Sequence, residues 1–313
     1  MKNKLNTLLK RHHHCPFTIK EEKAMIQKYI DNPKLSCRQL AFIYKMDYQA
    51  MCRIFQGNKI KIDNTRTGAK KTYSCDENYF DKIDNEEKAY VLGLLYADGC
   101  VCGRKDIVLS LQERDVDILK KIKKLFKSDR PLHYIKSKKI EHQSQYKFYL
   151  YSDRLVKKLN KLGCMRRKSL ILKFPTKKQV PTRLLKHFMR GYLDGDGCIC
   201  TYFRKSSRYL KCKVCIASTY SFLNQYKKEC KKQLNINFSL KRKKNYGNTI
   251  YNYASGEMSL GGISDIIKFC NWIYKDATIY LERKYDKFKK FEKSLKRDRK
   301  RWNKAQKKLL RNS

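Results

Sequence analysis

Residues 89–101 read Ala-Tyr-Val-Leu-Gly-Leu-Leu-Tyr-Ala-Asp-Gly-Cys-Val, and residues 188–199 read Phe-Met-Arg-Gly-Tyr-Leu-Asp-Gly-Asp-Gly-Cys-Ile. Aligned, Gly93 meets Gly191, Ala97 meets Gly195, Asp98 meets Asp196 and Gly99 meets Gly197. Each stretch is an apolar helical run with small residues four apart, closed by a carboxylate and then a glycine. Small residues at i and i+4 share one helix face, so two such helices can approach more closely than ordinary helix packing permits. Gly99 and Gly197 suit the left-handed turn that ends a helix. If the helices pair, their terminal aspartates stand side by side as a two-carboxylate metal site built by duplication.

Working outward from the two motifs, the same order of elements occurs twice. After the first, Asp106–Gln112 alternates like a strand, and 113–127 has helical spacing through Val116, Leu119, Ile122 and Leu125. Strand-like runs follow around 132–137 and 145–151, then a helix at 153–162. After the second motif come a strand at 211–218, a helix at 220–234, strands near 238–243 and 249–254, and a helix at 262–273. This is an αββαββα unit written twice, with positions 98 and 196 marking its period.

The nine-residue segments 91–99 and 189–197 resemble the motif of the LAGLIDADG homing endonucleases in their monomeric, two-motif form, and the resemblance covers about 86–290. The second copy keeps Asp194 where the family often has an acid, and the first has Tyr96 there. The resemblance implies an α+β, duplicated αββαββα LAGLIDADG fold with two pseudo-twofold-related, saddle-shaped sheets. It also implies that Asp98 and Asp196 are the catalytic, metal-binding acids, with the carbonyl of Ala97 left unassigned as a ligand. Mg2+ or Mn2+ is the expected cofactor, since magnesium is often held by one or two carboxylates plus substrate phosphates. Two carboxylates at helix C-termini are disfavoured by the helix dipoles and should demand a cation.

Family members also place basic residues near the metal. Leu162-Gly163-Cys164-Met165-Arg166-Arg167-Lys168-Ser169 resembles the segment that carries such a lysine, so Lys168 is the candidate in the first half. Lys284, within Leu281-Glu282-Arg283-Lys284-Tyr285, is its counterpart in the second. In the family the exposed face of each sheet lies along the DNA major groove, where base edges are distinguishable. Candidate DNA-binding residues are Lys211 and Lys213 on one strand, Lys241, Arg242 and Lys243 on another, and Arg104 and Arg204 in the turns.

Composition supports a polyanionic partner. The 313 residues contain 74 Lys plus Arg against 29 Asp plus Glu, a formal net charge of +45. A compact fold with that excess repels itself unless phosphates neutralise it, and counterion release then converts the charge into affinity. At 41% hydrophobic residues the chain is too apolar to be only a basic tail. No apolar run reaches the ~18 residues of a membrane span.

The expected domain order is a basic tail at 1–15, a helix-turn-helix-like domain at 16–60, a linker at 61–85, repeats at 86–178 and 179–290, and a basic tail at 291–313. Thr18-x-x-Glu21 and Ser36-x-x-Gln39 are capping boxes, and Asp47 caps a third helix ending at Gly57. Helix, turn, helix at this spacing reads as a DNA-binding unit, with Tyr48, Gln49 and Arg53 available to bases or phosphates. The alternative is a generic three-helix packing unit. Lys45 stands where many such turns have glycine. Residues 283–313 hold 15 basic and 3 acidic residues without a convincing apolar stripe beyond the first turns.

Thirteen cysteines and no signal-type apolar segment in Met1–Cys15 indicate reduced thiols in an intracellular, reducing compartment. Cys198, Cys200, Cys212 and Cys215 have zinc-like spacing, but strand geometry puts Cys212 and Cys215 on opposite faces. The chain begins at Met1 and lacks the His-Asn ending of an intein, so a free-standing, monomeric enzyme is expected. The function expected is a site-specific double-strand DNA endonuclease whose family role is to spread the intron or reading frame that encodes it. The alternatives are an intron-RNA maturase and a non-catalytic DNA-binding regulator.

Overall fold

The computed structural model describes residues 17–33, 35–63, 73–137, 143–203, 209–242 and 255–311. The chain divides into two compact units, Met1–Thr72 and Tyr73–Ser313.

The first unit packs three helices, α1 (Ile19–Asp31), α2 (Cys37–Ile43) and α3 (Tyr48–Gly57). Both capping boxes form: Thr18 with Glu21, and Ser36 with Gln39, each exchange side-chain and backbone hydrogen bonds. The Asp47 carboxylate accepts from the Gln49 and Ala50 amides and starts α3. Met25, Leu40, Met51 and Phe55 fill a small separate core. Lys45 takes the left-handed conformation in the turn between α2 and α3, with φ 51°. A residue other than glycine therefore makes that turn.

The second unit is the duplicated part. Its first repeat runs α4 (Glu86–Ala97), β1 (Gly99–Val101), β2 (Asp106–Gln112), α5 (Val116–Leu125), β3 (His133–Ile135), β4 (Gln145–Tyr151) and α6 (Asp153–Lys161). The second runs α7 (Leu185–Asp196), β5 (Gly197–Phe203), β6 (Leu210–Thr219), α8 (Tyr220–Leu234), β7 (Ser239–Arg242), β8 (Ser255–Leu260) and α9 (Ile263–Tyr274). The helices α10 (Glu282–Arg297) and α11 (Arg299–Arg311) follow. Each repeat forms a four-stranded antiparallel sheet, ordered β1-β2-β4-β3 and β5-β6-β8-β7. The two orders are the same, one strand set for each motif. The expected strand at 249–254 falls outside the described residues, and the strand that pairs there is β8.

α4 and α7 form the centre. Every residue from Ala89 to Tyr96 is buried, as expected for a helix apolar all round that packs on its own sheet and on a partner helix at once. The partner contact runs through glycine: a Cβ on Gly93 would collide with the Phe188 carbonyl, and one on Gly191 with the Tyr90 carbonyl. Beside this contact Tyr96 meets Phe188 edge-on at 4.9 Å between ring centres.

The structure revises three expectations. Gly99 and Gly197 do not take left-handed backbone; Gly197 has φ −95°. They are glycines because the strand leaves tight against the helix end, where a Cβ would lie 2.5 Å from the Leu95 carbonyl oxygen or the Leu193 carbonyl oxygen. Residues 73–85 are not a linker, since Tyr79, Phe80 and Ile83 enter the main core against Phe126. The stretch from 291 is not a bare tail: Phe288, Phe291 and Leu295 of α10 are buried, and Trp302 and Leu309 of α11 pack against the core. Lysine stems flank this narrow stripe and hide it from a composition reading.

Candidate active site and nucleic-acid interface

α4 and α7 each end at their motif's second-to-last residue, an aspartate. Asp98 is the C-cap of α4 and Asp196 the last residue of α7. The glycine contact brings the two ends together: a Cβ on Gly195 would lie 2.9 Å from Asp98 Oδ2. Asp98 is half-buried and Asp196 exposed. Burial, and then the negative charge of Asp196, push the Asp98 carboxyl up to about 6, while Lys284, Lys168 and Arg283 pull it down. A carboxylate shifted upward by a like charge in a partly dehydrated position is one that a cation would stabilise. Among the described residues no cluster of three or more His, Cys, Asp or Glu has metal-holding geometry. A metal here would rest on the two aspartates, with remaining ligands from water or phosphate, which is how magnesium is commonly held.

Each aspartate has a lysine over the main chain beside it. Lys168 Nζ donates to the carbonyls of Ala97 at 3.2 Å and Gly99 at 2.5 Å. Lys284 Nζ donates to those of Leu193 at 2.8 Å, Asp194 at 2.5 Å, Gly195 at 3.3 Å and Gly197 at 2.5 Å. Gly195 and Gly197 are the repeat partners of Ala97 and Gly99, so the two lysines grip equivalent carbonyls. Both lysines singled out in the sequence lie against the motif ends, and the second is the more deeply placed. Lys284 is buried, and burial is the main cause that lowers its ammonium to about 8.

A polar network centred on buried Arg190 was not anticipated from the sequence. Arg190, fully buried in α7, donates to the Ile279 and Ile273 carbonyls at 3.0 Å each and to Glu86 Oε1 at 2.5 Å. Burial and the adjacent guanidinium push His187 down to about 4, so it is neutral and its Nδ1 accepts from Arg190 at 2.9 Å. Its 3.9 Å approach to Glu86 is therefore not an ion pair. Glu86 also accepts from the Thr278 amide at 2.7 Å. Arg283 Nε reaches both carboxylate oxygens of Asp115, at 2.8 and 2.9 Å, tying the start of α10 to the first repeat. The signal available in sequence was Arg190 itself, the only basic residue within the motif stretch 188–199.

The sheets present one face to the core and leave the other open. On β6, Lys211, Lys213, Cys215 and Ala217 alternate with Cys212, Val214 and Ile216. Lys241 on β7 joins the same open face, because it stands opposite Glu257, which stands opposite Ala217. Arg242 has the opposite parity and its guanidinium stacks over Tyr220 at 4.3 Å, so it does not share that face. Arg104 is exposed in the turn between β1 and β2. Arg204 and Lys243 lie outside the described residues. In the first repeat the open face carries Lys147 and Tyr149, alternating with buried Phe148 and Leu150; the sequence reading missed Lys147 although that alternation marks it.

In the helical unit Gln49 and Arg53 are exposed one turn apart on α3, and Arg53 Nε bonds the Gln49 carbonyl at 3.4 Å. Tyr48 is half-buried under Arg38, 5.0 Å from its ring centre. All twelve cysteines among the described residues are free thiols. Cys212 is buried, while Cys215 faces the open side opposite Cys198, as strand alternation requires. Among the described residues no helix is long and apolar enough to cross a membrane.

No family model matches the sequence, and no curated protein matches it. Several solved structures are similar. The meganuclease I-SmaMI bound to uncleaveable DNA shares 12% identity, with 74% of this chain and 94% of that one covered, at a TM-score of 0.47. The I-LtrWI LAGLIDADG homing endonuclease bound to target DNA shares 14%, with 75% and 96% covered, at 0.45. I-SmaMI bound to cleaved DNA shares 15%, with 73% and 94% covered, at 0.47. Two motif copies paired through glycine and a duplicated αββαββα topology stand in this single chain, the arrangement that its sequence resemblance implied.

Proposed function

We propose that the protein is a site-specific, divalent-metal-dependent endonuclease that cuts both strands of a DNA duplex. The observation that carries this reading is the paired placement of Asp98 and Asp196, each beside a lysine that grips the equivalent carbonyls. One pseudo-twofold axis then serves the two antiparallel strands of a duplex.

Asp98 and Asp196 would hold Mg2+ or Mn2+, and the raised Asp98 carboxyl fits that role. A bound divalent ion supplies an activated water and neutralises charge on the phosphoryl oxygens. Lys168 and Lys284 fix the backbone that carries the aspartates and add positive charge where the phosphodiester would sit. The open faces bearing Lys147, Lys211, Lys213 and Lys241 offer charge and hydrogen-bond donors to phosphates and base edges. Gln49 and Arg53 of α3 are proposed as additional DNA contacts. The twelve free thiols among the described residues suit an intracellular, reducing compartment.

The test is cleavage of a randomised duplex library by the full-length protein with Mg2+, alongside Asp98→Asn and Asp196→Asn. The expected result is staggered cuts at an enriched site, lost in both variants. Site-specific DNA binding without cuts in any divalent metal would overturn the enzymatic reading, as would cuts that persist in the variants.

A further inference from the structure

Tyr96 and Asp194 occupy the same position in the two motifs, two residues before Asp98 and Asp196, and both are buried. Each points away from the acid pair towards the chain segment that bears its half's lysine. The Tyr96 hydroxyl donates to the Leu162 carbonyl. Gly163, with φ 93°, lets that segment come so close, since a Cβ there would collide with the hydroxyl. Cys164 Sγ then approaches the Leu95 carbonyl at 3.5 Å, and Lys168 reaches Ala97 and Gly99. The segment 162–168 is thus laid along the end of α4.

The second half reaches the same arrangement with reversed polarity. Asp194 Oδ2 accepts from the Leu281 amide at 2.7 Å and from the Tyr90 hydroxyl of α4 at 2.8 Å. Three residues after Leu281, Lys284 reaches Gly195 and Gly197. Tyr96 donates to a carbonyl and Asp194 accepts from an amide, yet both anchor the stretch from which a lysine returns to its motif end.

We infer that Tyr96 and Asp194 are positioning residues that lock Lys168 and Lys284, respectively, onto the two motif ends. The departure of the first motif from an acid at this position is then a second chemical solution to one task, and each half of the site depends on its own anchor. The inference about catalysis rests on the endonuclease reading above; the inference about lysine placement stands without it.

The test uses the full-length protein with Tyr96→Phe and Asp194→Asn and has two readouts. The first is acetylation of individual lysines by an amine-acylating reagent, followed by peptide mass spectrometry. Tyr96→Phe should raise the labelling rate of Lys168 about fivefold or more and leave Lys284 within twofold, and Asp194→Asn should do the reverse. The second is strand-resolved cleavage of a duplex recovered from the library. Each variant should lower the kcat for one strand by about tenfold, the two variants affecting opposite strands, with KM within twofold.

Where Asp194→Asn does not fold, Tyr90→Phe removes one donor to the same carboxylate and should raise Lys284 labelling alone. Unchanged labelling in both folded variants, or equal changes at both lysines, would overturn the inference. Selective labelling changes in a protein that cuts no duplex would uphold the placement and refute the endonuclease reading.

Discussion

Gly93 and Gly191 each sit against a main-chain carbonyl of the other motif helix, that of Phe188 for Gly93 and that of Tyr90 for Gly191. Phe188 and Tyr90 stand three residues before the two glycines, so the contact is the same in both directions. This reciprocity sets the separation of the helix ends and hence of Asp98 and Asp196.

Alanine at either glycine therefore pushes the helices apart at their closest point. Alanine is the better helix former by about 0.8–1 kcal/mol, but overpacking against backbone that cannot yield costs about 1–3 kcal/mol. Gly93→Ala and Gly191→Ala are expected to lower the urea midpoint by similar amounts. A rise in midpoint for either would contradict the close contact.

The Asp98 carboxyl is raised in the fold, so its effect on stability has a definite sign. The stability it contributes is fully present below its unfolded value near 3.8 and is lost as pH rises through about 6. In chelator, Asp98→Asn should stabilise the protein at pH 7.5 by of order 1–3 kcal/mol, with a smaller gain at pH 5. Thermal midpoints of parent and variant at the two pH values check this. An equal difference at both would show that the acid pair is not electrostatically strained.

Arg190 and Glu86 form a buried ion pair that also holds the chain between α9 and α10. Removing the arginine alone strands Glu86 and the Ile273 and Ile279 carbonyls, a loss of about 3–5 kcal/mol. Arg190→Met should fall in that range. Arg190→Met combined with Glu86→Gln should cost less than the sum of the two single changes. Strict additivity in denaturant titrations would argue against the pairing.

Lys211, Lys213 and Lys241 share the open face of the second sheet, and Arg242 does not. Each of the three lysines replaced by glutamine should reduce the salt slope of DNA binding by about 1 where it meets a phosphate. Arg242→Gln should change the slope less. Fluorescence anisotropy across a salt series reads the difference, and equal slopes for all four would remove the assignment of that face.

Much of this was legible in the chain because the motif is local: apolar residues, small residues four apart, an aspartate and a glycine in one helical run. The same holds for the capping boxes at Thr18 and Ser36 and for the alternation in β2 and β6. What escaped was set by distant partners. Tyr79 and Phe80 look like loop residues until Phe126 is placed against them. Phe288, Phe291 and Leu295 are outnumbered by lysines along the surrounding chain. Gly99 and Gly197 were read for backbone freedom, when the constraint is the neighbouring carbonyl. Asp194 and Arg190 gain their meaning only from main-chain groups of residues 273–281, far along the sequence.

The central claim is that Asp98 and Asp196 act as one divalent-metal site. Its most direct test is Mn2+ titration of the full-length protein at pH 7.5, with bound ion followed by loss of the free-ion electron paramagnetic resonance signal and a DNA duplex present. The account predicts that Asp98→Asn and Asp196→Asn each weaken binding at least about tenfold, and that the double variant is little worse than either single one. Unchanged Mn2+ binding in the double variant would contradict it.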